Sequence, residues 1–118
     1  MNKNIVSKDK RNRNITLLRE QIKKGEDIKF SYFNLGNEYF ALDDKKSALD
    51  NYYKSYNDFD PSTGYASRLI ERIVISNYTL KDYDKALEFI EIGTRYYPEF
   101  TDLYYLKGLI LKEENSPL

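Results

Sequence analysis

The chain has 118 residues with 19 basic and 19 acidic side chains, so its formal net charge is zero, and it contains neither histidine nor cysteine. The length suits one small domain, and the missing residue types exclude a disulfide framework, a thiolate zinc site, a cysteine nucleophile and a Ser-His-Asp triad. No apolar run approaches the length of a membrane span, and no signal peptide is visible. We therefore expect a non-catalytic cytoplasmic domain with no cofactor and no metal ion.

The charges are unevenly distributed along the chain. Residues 1–24 carry eight basic and two acidic side chains, whereas residues 25–118 carry eleven basic and seventeen acidic ones. A basic arm over residues 1–12 could contact nucleic acid or an anionic membrane surface. No aromatic residue is interleaved with its basic residues, however, and the rest of the chain is acidic, which argues against a nucleic-acid partner. The pattern favours a solvated linker.

The first predicted helix covers about residues 13–24. Ile15, Leu18 and Ile22 repeat at helical spacing and form one apolar face. Basic residues followed by Gly25 are typical of a helix end.

A helical hairpin is predicted next. Tyr32, Leu35, Gly36 and Tyr39 lie at offsets 0, 3, 4 and 7, and form one face of a helix. A second face begins at Ala48 and continues four residues later at Tyr52. Asp43 and Asp44 between the two faces can end the first helix and cap the second.

The hairpin recurs at a fixed distance along the chain. Ile70 follows Tyr32 at an offset of 38, and Ala86 follows Ala48 at the same offset. A third start at Tyr104 follows Ile70 at an offset of 34, and Gly108 follows Gly36 at the sum of these two offsets. We expect the small residues to allow close approach of helix backbones. The predicted structural positions of the repeats are Tyr32, Leu35, Gly36, Tyr39, Ala48, Tyr52, Ile70, Ala86, Ile90, Gly93, Pro98, Tyr104 and Gly108.

This register resembles a known family of helical repeats. The series from Tyr32 through Ala48 and Tyr52 to Pro61 is similar to the tetratricopeptide pattern of an aromatic, Leu-Gly, an aromatic, then Ala, an aromatic and Pro. The second unit matches less well, with Val74 and Asn77 where the pattern has Gly and an aromatic. The resemblance implies an all-α fold of six helices, in which antiparallel hairpins stack as a short solenoid of about two and a half repeats. The implied repeat domain covers 13–118, with repeats at 29–61 and 66–98, a first helix of a third repeat at 101–113, and helix 13–24 closing a partial repeat.

A narrower resemblance covers most of the chain. The phrases RNRNITLLREQIKKGED, YFNLGNEYFALDD, DPSTGYASRLIERIVIS and YYPEFTDLYYLKGLI look like the repeat segment that follows the catalytic domain in bacterial family 2 glycosyltransferases. The resemblance implies that any glycosyl transfer belongs to a separate nucleotide-binding α/β domain, which an all-helical chain of this length cannot contain.

A concave groove formed by the first helices of the repeats is the candidate binding site. Its predicted residues are Phe33, Asn37, Phe40, Arg68, Arg72 and Tyr105. Arg68 and Arg72 are four residues apart and could together hold a carboxylate or phosphate. The alternative is that they pair with neighbouring acidic side chains.

Two Asp-x-Asp sequences have a spacing that is also found in catalytic sites. Asp58 with Asp60, and Asp82 with Asp84, have the spacing with which glycosyltransferases hold a metal ion and a sugar nucleotide. Both fall at predicted helix ends or turns, where Asp commonly caps a helix. No glycine-rich phosphate loop accompanies either pair, so capping is the favoured interpretation.

The expected function is therefore protein–protein interaction. The first hypothesis is a non-catalytic tetratricopeptide domain of a family 2 glycosyltransferase that self-associates, as a possible homodimer, or positions a protein acceptor. The alternative is a free-standing adaptor that binds a peptide segment of a partner.

Overall fold

Six α-helices make up the part of the chain that the structure describes. The computed structural model describes the backbone of residues 3–115 and the side chains of residues 8–115, and within them no strand occurs. The helices are α1 (Lys3–Lys23), α2 (Ile28–Ala41), α3 (Lys45–Tyr56), α4 (Ala66–Thr79), α5 (Tyr83–Tyr96) and α6 (Thr101–Glu114). The predicted all-helical class is confirmed. Residues 1–2 of the predicted arm and 116–118 of the predicted repeat domain lie outside the described residues.

None of the helices in the described part of the chain combines the length and the apolar character that crossing a membrane requires.

Helix α1 begins ten residues before the predicted start at residue 13. Residues 3–12 contain no Gly or Pro, so nothing in that stretch interrupts the helix. The helical part of the predicted arm is also anchored, because Arg11 Nη1 lies 3.2 Å from Glu38 Oε2 on α2. Arg11 therefore lies against α2, although its side chain stays 40% exposed.

The chain divides into two compact units. The first, Met1–Asp58, contains α1, α2 and α3, and α2 packs against both of its neighbours. Its core consists of the buried apolar side chains Ile15, Phe33, Leu35, Ala48, Leu49 and Tyr52.

The second unit, Phe59–Leu118, contains α4, α5 and α6. Each of its helices packs against the other two. Its largest fully buried apolar side chains are Leu69, Ile70, Ile73, Val74, Ile90, Leu103 and Ile110.

One glycine in each unit lies where a side chain would not fit. A Cβ on Gly36 would come within 2.5 Å of the Tyr52 ring, and one on Gly93 within 2.5 Å of Leu103 Cδ1. A missing side chain at these two positions lets the facing helix approach closely, as the register predicts.

Three helices end in the same kind of turn. After α1, α2 and α4 a residue with positive φ follows, namely Gly25 (76°), Asp43 (64°) and Lys81 (66°). In the turn between α2 and α3, the amide of Asp44 donates to Tyr39 O and that of Asp43 to Phe40 O. The amides of Asp82 and Lys81 repeat this pattern at the equivalent positions of the second hairpin, with Asn77 O and Tyr78 O. These paired bonds satisfy the last carbonyls of each helix.

Two of the predicted structural positions lie on an exposed face of α6. Tyr104 is 48% exposed, and a Cβ on the exposed Gly108 would meet nothing within 4 Å. The core side of α6 consists of Leu103, Leu106 and Ile110. Within the described residues, Gly108 thus differs from Gly36 and Gly93, each of which lies against a neighbouring side chain.

Candidate interaction surfaces

The predicted groove residues of the first unit are already engaged within that unit. Phe33 is buried, with its ring centroid 6.3 Å from that of Phe30 and 6.2 Å from that of Tyr52. Asn37 Oδ1 accepts a hydrogen bond of 2.6 Å from the Tyr52 hydroxyl. Phe40 is half-buried, and Lys45 Nζ lies 4.2 Å from its ring centroid. Of the three, Phe33 is out of reach of a ligand because it belongs to the core.

In the second unit, Arg68 forms an ion pair and Arg72 is half-buried, whereas Tyr105 is largely exposed. Arg68 Nη1 lies 2.9 Å from Glu71 Oε1, one turn further along α4, which supports the interpretation that it pairs with a neighbouring acid. Arg72 is half-buried, whereas Tyr105 is 68% exposed. Burial raises the pKa of Glu71 above its ordinary value, a hydrogen bond with Asp102 raises it further, and Arg68 opposes both effects. The folded state thus holds this proton more tightly than the unfolded chain does.

The two Asp-x-Asp sequences have local structural roles. Asp82 Oδ1 accepts from the amide of Lys85 at 3.2 Å and thereby caps α5. Asp60 Oδ1 accepts from the amide of Ser62 at 2.9 Å. Asp58 has a positive φ of 54°, and its carbonyl accepts from Lys29 Nζ at 2.6 Å. Across the described residues, no three potential ligands are gathered that could hold a metal ion.

Three exposed large hydrophobic residues of the second unit lie on α6. Tyr104 and Tyr105 are 48% and 68% exposed, and Leu111 is 40% exposed. Tyr104, Gly108 and Leu111 follow each other at offsets 0, 4 and 7, so they form one stripe of the helix. We call this stripe the α6 face. Contiguous exposed apolar residues of this kind mark interaction sites in soluble proteins.

The first unit has an open groove between α1 and α2. Its volume is about 450 Å³, and its lining residues are Asn14, Leu17, Leu18, Gln21, Asn34, Asn37 and Glu38. Leu17 is 57% exposed at its edge, the largest exposed fraction among the described large hydrophobic residues of α1. We call this surface the α1 groove. Its polar floor is fixed, because Asn14 Nδ2 and Arg11 Nη1 each donate to one oxygen of Glu38 at 3.2 Å.

Comparison of the chain with protein-family models and with curated protein sequences finds no match.

Sequence reasoning missed the α1 groove. Ile15, Leu18 and Ile22 are spaced as one apolar helix face, and Leu17 lies outside that series. An apolar residue outside the apolar face of its helix was the signal that could have indicated the groove. The pair between Arg11 and Glu38 had no comparable signal, because a separation of 27 residues is not readable from spacing.

The caps of α3 and α5 allow a first test. The Asp44 side chain accepts from the Ser47 amide at 3.1 Å. Hydrogen bonds from Ser47 hold the pKa of Asp44 below its ordinary value. We expect Asp44→Ala to lower the free energy of unfolding by about 1 kcal/mol at neutral pH, as loss of an N-cap does. Denaturant unfolding measures the change.

The same cap has a defined pH dependence. A carboxyl whose pKa is lower in the folded state stabilises fully above its unfolded pKa, and the stabilisation is lost as the pH falls through the folded value. The difference between the parent and Asp44→Asn, which keeps a capping oxygen but does not titrate, should therefore shrink or reverse in acid. A difference that is independent of pH would contradict the assignment.

Proposed function

We propose that the chain is a protein–protein interaction module of the tetratricopeptide type, and that it associates with a second copy of itself through the α6 face. The observation that carries the proposal is the exposure of Tyr104 and Leu111 around an open Gly108. Aromatic residues are enriched in the anchors of protein interfaces, and a glycine between them lets a partner helix approach closely.

The sequence resemblance extends this proposal. By that resemblance, the module belongs to a bacterial family 2 glycosyltransferase, and the chain itself takes no part in glycosyl transfer. The local roles of the Asp60 and Asp82 carboxylates support a non-catalytic module, because the first is used in a turn and the second in a helix cap. A free-standing adaptor for a partner's peptide segment is the alternative that the experiment below distinguishes.

Self-association is measured by sedimentation velocity across a micromolar concentration series. We expect the unmodified chain to form dimers or larger species, and Tyr104→Glu to weaken association by roughly tenfold or more, since loss of an anchor at an interface commonly costs over about 1.4 kcal/mol. A carboxylate in place of the ring would be buried without a partner, which is unfavourable.

Leu80→Glu is the matched control, because Leu80 is 39% exposed and lies outside the α6 face, just after α4. It adds the same charge and should leave association unchanged. A chain that stays monomeric at the highest concentration overturns the proposal and favours the adaptor. Equal effects of both variants would show that net charge, and not the α6 face, controls association.

A further inference from the structure

We infer that the association is head-to-tail: the α6 face of one copy packs into the α1 groove of the next copy, against α1 and α2. This inference rests on the proposed function and adds to it the identity of both surfaces. It is argued from the internal repetition of the chain, from the exposure of the two surfaces and from their charge.

The α6 face repeats a face that is covered elsewhere in the same chain. Tyr32, Gly36 and Tyr39 on α2 precede Tyr104, Gly108 and Leu111 by one common offset. On α2 the glycine lies directly beneath the Tyr52 ring of α3. On α6 the equivalent glycine faces open space. The fold thus shows which element covers such a face: an antiparallel helix that follows it in the same hairpin.

Helix α1 carries an uncovered copy of the face that does the covering. On α3 that face consists of Ala48, Tyr52 and Ser55, all of which are 2% exposed or less. The residues of α1 that precede them, again by one common offset, are Asn14, Leu18 and Gln21. All three line the α1 groove, together with the exposed Leu17.

The two surfaces therefore complete each other. Among the described residues, no helix covers the α6 face as α3 covers α2. The face of α1 that is equivalent to the covering face of α3 has no such helix packed against it either. At about 450 Å³, the groove has room for several side chains such as Tyr104 and Leu111. Docking there would cover Leu17 as well as the open space beside Gly108.

Charge favours the same pairing over the pairing of like ends. Residues 1–58 carry 12 basic and 9 acidic side chains, a net charge of +3, whereas residues 59–118 carry 7 and 10, a net charge of −3. Lys10 and Arg13 are exposed on the same side of α1 as Leu17, seven and four residues before it, and the exposed Lys24 follows the end of the helix.

On α6 itself, Asp102 and Glu113 lie on the side of the helix opposite Tyr104, so the attraction comes from the net charge of the two units. Lys107 and Lys112 flank the α6 face, and their long side chains can reach water at the rim of the interface.

Such a contact is heterologous, because two different surfaces meet. It leaves one free α6 face and one free α1 groove on every pair of copies. Assembly therefore continues with further copies, unless the rotation that relates one copy to the next closes a ring. A symmetric contact between two α6 faces would stop at a dimer.

The test uses two variants of the full chain, each blocked at one surface. Leu17→Glu blocks the α1 groove and leaves the α6 face intact, whereas Tyr104→Glu does the reverse. Both positions are exposed, so both variants should fold, which circular dichroism verifies. We expect each variant alone to lose self-association, and their equimolar mixture to form a one-to-one dimer and nothing larger.

The outcomes separate this inference from the proposed function. If Leu17→Glu alone still dimerises while Tyr104→Glu does not, the contact joins two α6 faces, and the inference is overturned while the proposed function stands. If the unmodified chain never associates, both fail. A mixture that stays monomeric although the unmodified chain associates also overturns the head-to-tail contact.

Cross-linking gives a second measurement that does not depend on blocking the contact. The sequence has no cysteine, so Leu17→Cys and Lys112→Cys each introduce a unique thiol, the second at the rim of the α6 face. A short bismaleimide should link the two variants when they are mixed, and should link neither variant to itself. A self-link of Lys112→Cys would contradict the head-to-tail arrangement.

Discussion

Replacing Tyr52 by alanine is expected to lower the free energy of unfolding by about 3–5 kcal/mol, the range for removing a large buried aromatic ring. Tyr52 is fully buried, and its ring lies on Gly36. Its hydroxyl donates to Asn37 Oδ1 at 2.6 Å. The substitution removes the packing, leaves a cavity beneath α3 and deprives Asn37 of its partner. Denaturant unfolding, followed by circular dichroism at low protein concentration, measures the change.

Two variants separate the contributions. Tyr52→Phe keeps the ring and loses only the hydroxyl, so we expect a loss of about 1 kcal/mol. Tyr104→Ala removes an exposed ring and should change the free energy of unfolding by no more than about 0.5 kcal/mol. Equal losses for Tyr52→Ala and Tyr104→Ala would show that α3 does not pack on α2 as described.

Adding a single methyl group at Gly36 should have the next largest effect. The Cβ of Gly36→Ala would lie 2.5 Å from Cδ1 and Cε1 of Tyr52. Since that ring is fully buried, it cannot turn away into solvent, and α2 and α3 must separate. Overpacking of this kind costs about 1–3 kcal/mol, more than the roughly 1 kcal/mol that alanine gains over glycine inside a helix.

Gly108→Ala is the matched control, because it makes the same chemical change in open space. It should raise the free energy of unfolding by about 0.5–1 kcal/mol. Combining Gly36→Ala with Tyr52→Leu tests the contact itself. Because the smaller side chain relieves the clash, the double variant should lose less unfolding free energy than the two single variants lose in sum. Full additivity would contradict direct contact between positions 36 and 52.

The sequence predicted the helical class and which glycines are buried in each hairpin. It succeeded at Gly36 and Gly93 because both faces of each hairpin are close together in the chain, and spacing at 3, 4 and 7 identifies them. Gly108 has the same spacing, but its face of α6 is open. A helical pattern shows which residues share a face, but whether another helix covers that face depends on packing that the pattern does not contain.

The predicted groove shows a second limit. Phe33 was assigned to a binding surface because it lies beside the face of Tyr32 and Gly36. Helix α2 packs against both α1 and α3, however, and Phe33 is buried with its ring beside that of Tyr52. Asn37 was similarly assigned by its place after Gly36, and its amide oxygen holds the Tyr52 hydroxyl instead. A residue's type and position do not show which neighbour uses its polar atoms.

The repeated turn has a consequence for how quickly the chain folds. Helix α2 reaches α3, and α4 reaches α5, across three residues whose amides bond back to the helix that has just ended. Each hairpin can therefore close without waiting for distant parts of the chain to meet. Loops this short have a small entropic cost of closure, and proteins dominated by local contacts reach the native state within microseconds to milliseconds. Each hairpin is thus suited to act as a folding nucleus onto which α1 or α6 later docks.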